Sequence, residues 1–124
     1  MRRNMELVRE ILIITADQDN PVEPDLYVTD KHSRELVDYH ITIMRDAGLL
    51  NVQTKDYKSG LKVYVLGLTW EGQDFLAAVE DSTIWKRTLA AVTNGAGNTT
   101  LAVIKTTAES IAKVAIQKAL DFSI

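Results

Sequence analysis

Lys55, Lys58 and Lys62 share a short segment with one acid, Asp56, and with Tyr57. Three ammonium groups set against a single carboxylate can neutralise phosphate, so the segment is a candidate contact for a nucleic-acid backbone. The same lysines equally serve as guards that blunt an exposed strand edge against aggregation, and both readings stand on sequence alone. A second candidate set, Arg34, Thr42 and Arg45, recurs at helical spacing. Arg34 can donate to a guanine edge and Arg45 to a phosphate. That face also carries Glu35, Asp38 and Asp46, which repel phosphate and give it the alternating charge of an ordinary solvated helix.

The remaining reactive residue types form no catalytic constellation. His40 lies on an apolar stripe between Leu36 and Met44, the place of a core histidine with a ring nitrogen bonded to backbone. His32, beside Asp30 and Lys31, reads as a surface loop residue without the further ligands a metal needs. Glu80 and Asp81 are adjacent, point in different directions and suit capping better than acid–base work. Asn94-Gly95-Ala96-Gly97-Asn98 lacks the preceding strand and the lysine of a phosphate loop, so it reads as a hinge. Trp70 and Trp85, in helical context with Phe75 and Ile84, are expected to pack. Zero cysteines remove disulfides, thiolate catalysis and thiolate zinc sites. The expectation is a binding protein, not an enzyme, with no cofactor and no metal.

The composition sets the scale for these sites. The 124 residues, 46% hydrophobic and 25% charged, match one compact domain that can bury a core without a staple. Fourteen Lys and Arg against seventeen Asp and Glu leave a net charge of −3, which excludes a broadly basic nucleic-acid coat but permits a local patch. Aliphatic runs such as Ile11 to Ile14 fall far short of the roughly 20 residues that span a bilayer. Arg2 and Arg3 are followed by Glu6, Arg9 and Glu10 where a signal peptide needs apolar residues. No membrane association is expected, and the cysteine-free chain suits the cytoplasm.

The elements that must position the candidates follow from period and punctuation. Met5, Val8, Ile11 and Leu12 trace a helix capped by Asn4 and ending near Ala16. Residues 17–25 form a loop, and Leu26-Tyr27-Val28 reads as a short strand. Ser33 caps a helix whose stripe is Leu36, Val37, His40, Ile41 and Met44, and Gly48 ends it. Leu49–Gln53 and Leu61–Leu68 read as a hairpin with a polar tip over 56–60. Thr69 caps a third helix with Phe75, Leu76 and Val79 inward, and Asp81 or Ser82 starts a fourth. The last helix, Thr99 to about Asp121, places Leu101, Ile104, Ala108, Ile111 and Ala115 on one narrow stripe suited to a symmetric dimer. The fold class is α+β, with one domain over 1–80, a helical extension over 81–124 and a hinge near 94–98.

Two stretches, ELVDYHITIMRDAGLL at 35–50 and VYVLGLTWEGQDFL at 63–76, resemble parts of a winged helix. In such proteins an alanine-glycine-leucine corner, here Ala47-Gly48-Leu49, launches the wing, and a Leu-Thr pair, here Leu68-Thr69, closes it. With MRRNMELVREIL at the start and DSTIWKRT at 81–88, the chain is similar to the bacterial and phage family called domain of unknown function 2513. The resemblance implies a winged helix with a helical extension. The family name carries no activity; the winged-helix fold motivates a small DNA-binding transcriptional regulator, with the helix from Ser33 to Ala47 and the lysine wing at double-stranded DNA, and the stripe of the last helix motivates a dimer. The reading from another class is a protein–protein interaction module of phage or mobile-element origin, favoured by the acidic helix face. One departure is that residues 17–32, with two prolines, leave no room for the usual middle helix; an extended strand there alters the support of a recognition helix.

Overall fold

Asn4, Ser33, Thr69 and Asp81 each stand immediately before a helix, and each lends a side-chain oxygen to backbone N–H groups of the first turn that have no partner within the helix. In the computed structural model, which describes residues 1–94 and 100–122, these caps open α1 (Met5–Ala16), α2 (Arg34–Asp46), α3 (Trp70–Val79) and α4 (Ser82–Asn94). Between α2 and α3 lie β1 (Leu50–Tyr57) and β2 (Gly60–Leu68), and α5 covers Leu101–Phe122. The fold is mixed α+β, with a winged-helix-like order of helix, short segment, helix, hairpin and helix, extended by α4 and α5. The expected hinge lies outside the described residues apart from Asn94.

The chain divides into two compact units, residues 1–73 and 74–124, with the division inside α3. In the first unit α1 buries Leu7, Val8, Ile11 and Leu12 on one face, and α2 buries Val37, His40, Ile41 and Met44. Those two helices touch each other and the hairpin. Each fully buried aliphatic side chain there contributes roughly 1.5–3 kcal/mol against conformational entropy. Gly48, at φ +79°, turns the chain out of α2 in a conformation that favours glycine. Leu49 and Leu50, both buried, then start the hairpin.

Three expectations need correction. Leu26-Tyr27-Val28 is not a strand: Pro24–Tyr27 is a short 3-10 helix, because Pro24 at its first position presets a helical φ. The strand-like pairing falls earlier, where Val22 and Val65 exchange both backbone hydrogen bonds at 2.8 Å. His32 is not a surface residue but is 5% exposed, with Nε2 3.4 Å from Glu10 of α1. Trp70 does not pack; it is 82% exposed. The buried positions of α3 are Gly72, Phe75, Leu76, Ala78 and Val79, and at 100° per residue Trp70 falls on the opposite side.

In the second unit α4 pairs with α5. Trp85 is buried as expected, together with Thr88, whose hydroxyl donates to the Ile84 carbonyl at 2.8 Å. At 22 residues against 13, α5 is much longer than α4, and its later turns expose Val114, Ile116 and Leu120.

Candidate functional site

The hairpin is an antiparallel ribbon with register Gln53↔Tyr64, Lys55↔Lys62 and Tyr57↔Gly60. The strands run further than the sequence suggests, so the tip shrinks to Lys58 and Ser59, with Gly60 at φ +125° accommodating the turn. Because directly opposed residues share a face and side chains alternate, Gln53, Lys55, Tyr57, Lys62 and Tyr64 all lie on one side. Asp56 and Leu61 lie on the other, the side that carries buried Val65 at its root. The outer face therefore presents two ammonium groups and two phenol rings with no carboxylate from the hairpin itself.

Lys55 and Lys62 stand directly opposite, an arrangement that costs energy for like charges. Each escapes along a diagonal: Lys55 Nζ sits 5.9 Å from the Tyr64 ring centroid and Lys62 Nζ 5.8 Å from that of Tyr57. The neighbouring Tyr57 hydroxyl is the leading cause raising the Tyr64 phenol above its ordinary value of 10.0. On β2, Lys62 lines a polar cleft with Glu23, Asp25 and Arg34.

The α2 candidates are placed differently. Arg34 is held by Asp25 from the 3-10 helix and by Asp38 one turn along, Nε to Oδ1 2.9 Å, and these carboxylates hold its guanidinium above its usual range. Arg45 pairs with Asp46 at 3.2 Å, and the Thr42 hydroxyl donates to the Asp38 carbonyl at 3.0 Å. All three are exposed, yet their polar groups are already engaged. The structure thus brings Lys55 and Lys62 together and leaves Lys58 at the tip; Arg34 shares a cleft with Lys62 but is engaged by Asp25 and Asp38, and Arg45 pairs with Asp46. Sequence reasoning missed Tyr64. Its signal was the alternation of Lys62, Tyr64 and Leu66, which puts it on the lysine side.

His40 is the core histidine its spacing suggests, with both ring nitrogens bonded to backbone, at Leu36 and Asn4. Among the described residues no group of three or more His, Asp or Glu could hold a metal ion, and no helix is long and apolar enough to cross a membrane. Of the dimer stripe, Ile104 and Ala108 are buried in the single chain, Ile111 and Ala115 are half-buried, and the Leu101 side chain lies outside the described residues.

A family model described as hypothetical protein (DUF2513) matches residues 2–99. A protein of Haemophilus influenzae, named "Uncharacterized protein", is 28% identical over 116 residues, covering 90% of this chain and 95% of that relative. No solved structure matches the chain.

Proposed function

The chain belongs to the DUF2513 family, and we propose that it is a small DNA-binding protein of the transcription-regulator kind that meets the sugar-phosphate backbone through its hairpin. The observation that carries this reading is the outer hairpin face, where Lys55 and Lys62 stand opposite one another with Tyr57 and Tyr64 beside them. Lys58 at the tip extends the positive charge. The helix α2 plays the smaller part, since Arg34 and Arg45 are engaged by Asp25, Asp38 and Asp46. The protein binds and does not catalyse: His40 is committed to backbone, and His32 is buried beside Glu10. Self-association through α5 supplies the dimer, with Val114, Ile116 and Leu120 exposed beyond the half-buried Ile111 and Ala115. A chain without cysteine suits the cytoplasm, where such DNA lies.

The test is a titration of labelled DNA against the full chain at several salt concentrations, with mass measured by light scattering. Three backbone contacts predict that log K falls with log salt at a slope of about −2 to −3. Replacing Lys55, Lys58 and Lys62 with glutamate abolishes binding. Absence of binding even at low salt overturns the reading in favour of a protein-docking module, which the 82% exposed Trp70 favours.

A further inference from the structure

We propose that the outer hairpin face prefers a nucleic-acid strand whose bases are unpaired, stacking bases on Tyr57 and Tyr64 while Lys55 and Lys62 hold the neighbouring phosphates. The inference rests on the nucleic-acid reading above and names the form of its ligand.

The face is built as two equivalent ring-and-ammonium pairs, Lys55 with Tyr64 and Lys62 with Tyr57, at 5.9 and 5.8 Å. They are related across the Lys55↔Lys62 register. A nucleotide offers the complementary pair, a flat base and an anionic phosphate. Stacking on rings beside a cationic track is the general chemistry by which single strands are held without sequence preference.

The ring faces, more than the hydroxyls, are what this surface offers. The Tyr57 ring is 45% exposed on this face. Duplex bases already stack on one another and expose only edges, so a duplex cannot use the rings. Entry into the major groove by α2 is opposed by the carboxylates that hold Arg34 and Arg45.

The experiment compares a labelled mixed-sequence single-stranded oligodeoxynucleotide with the same sequence as duplex, each titrated with the full chain at low and moderate salt. The single strand binds about ten-fold more tightly, and Tyr57→Leu with Tyr64→Leu removes that preference. Tyr57→Phe with Tyr64→Phe keeps the rings and retains it. Far-ultraviolet circular dichroism of both double variants confirms that the hairpin is folded. Equal or tighter duplex binding, or single-strand binding untouched by the leucine variant, overturns the stacking proposal while the lysine reading stands. Binding to neither form at low salt overturns both.

Discussion

The backbone N–H of Asn4 donates to Nε2 of His40 at 2.7 Å, joining the residue that caps α1 to the middle of α2 across 36 positions of sequence. His40 Nδ1 lies 2.8 Å from the Leu36 carbonyl, which can only accept. The proton therefore sits on Nδ1, Nε2 is the acceptor, and the ring is neutral. Burial, the leading cause, holds its pKa below the ordinary 6.5, the positive charge of Arg3 and the nearby His32 push the same way, and the Leu36 carbonyl opposes them.

A folded-state pKa lower than the unfolded one means that the unfolded chain takes up the proton first. The stabilisation is complete above about pH 6.5 and is lost as pH falls through the folded value. Thermal melts at pH 7.5, 6.5 and 5.5 show the decline. His40→Leu lowers stability by about 1–3 kcal/mol at pH 7.5, leaving Asn4 and Leu36 without their partner, and flattens this part of the profile. An unchanged slope in that variant assigns the pH dependence to other groups.

Gly72 on α3 lies against the backbone of Leu49, so close that an added Cβ would collide with the Leu49 carbonyl oxygen. That carbonyl accepts from the Thr69 N–H at 3.0 Å, which fixes the exit of the hairpin to its entry. Gly72→Ala forces the two apart and costs about 1–3 kcal/mol or more, read as a lower denaturant midpoint. A midpoint equal to that of the unsubstituted protein contradicts the close approach.

Thr15 Oγ1 and the Tyr27 hydroxyl are 2.7 Å apart, both residues are buried, and they tie α1 to the 3-10 helix. Thr15 also donates to the Ile11 carbonyl at 2.6 Å, so Tyr27 is the donor between the two hydroxyls. Thr15→Val strands the Tyr27 hydroxyl in the interior and costs about 1–3 kcal/mol, whereas adding Tyr27→Phe removes the stranded group and recovers part of the loss. A double-mutant cycle by urea denaturation measures the coupling, and strict additivity denies it.

In the proposed DNA complex Arg34, tied by Asp25 and Asp38, is expected to add little affinity, so Arg34→Ala should leave the salt dependence of binding unchanged. Asp25→Asn with Asp38→Asn frees the guanidinium and steepens the slope of log K against log salt by about 0.9, one further phosphate contact. Titrations at four salt concentrations separate these outcomes.

Much of this was legible because it is local. A cap needs only a Ser, Thr, Asn or Asp ahead of a helical period, which is why Asn4, Ser33, Thr69 and Asp81 were readable from sequence. The place of His40 followed from spacing, whereas the side of the hairpin that Lys55 and Lys62 share emerged only from the register, because the strands run beyond Gln53. What escaped depends on segments far apart in sequence. His32 is buried because α1 brings Glu10 to it, and Leu26-Tyr27-Val28 lost strand pairing because Val22 took the bridge to Val65. Arg34 with Asp38 was readable at i,i+4, but its bond to Asp25 required the 3-10 helix to be in place. Trp70 was misread by residue type, although the helical phase of Phe75, Leu76 and Val79 already set it apart.

Val65 is the outermost buried side chain of the hairpin, and every residue from 53 to 62 is exposed. The positions that hold the molecule together and those of the proposed ligand face are therefore separate sets, so the two are free to evolve apart. Selection can rewrite the ribbon beyond Val65 like an interchangeable cassette, altering what is gripped while the interior beneath stays as it is.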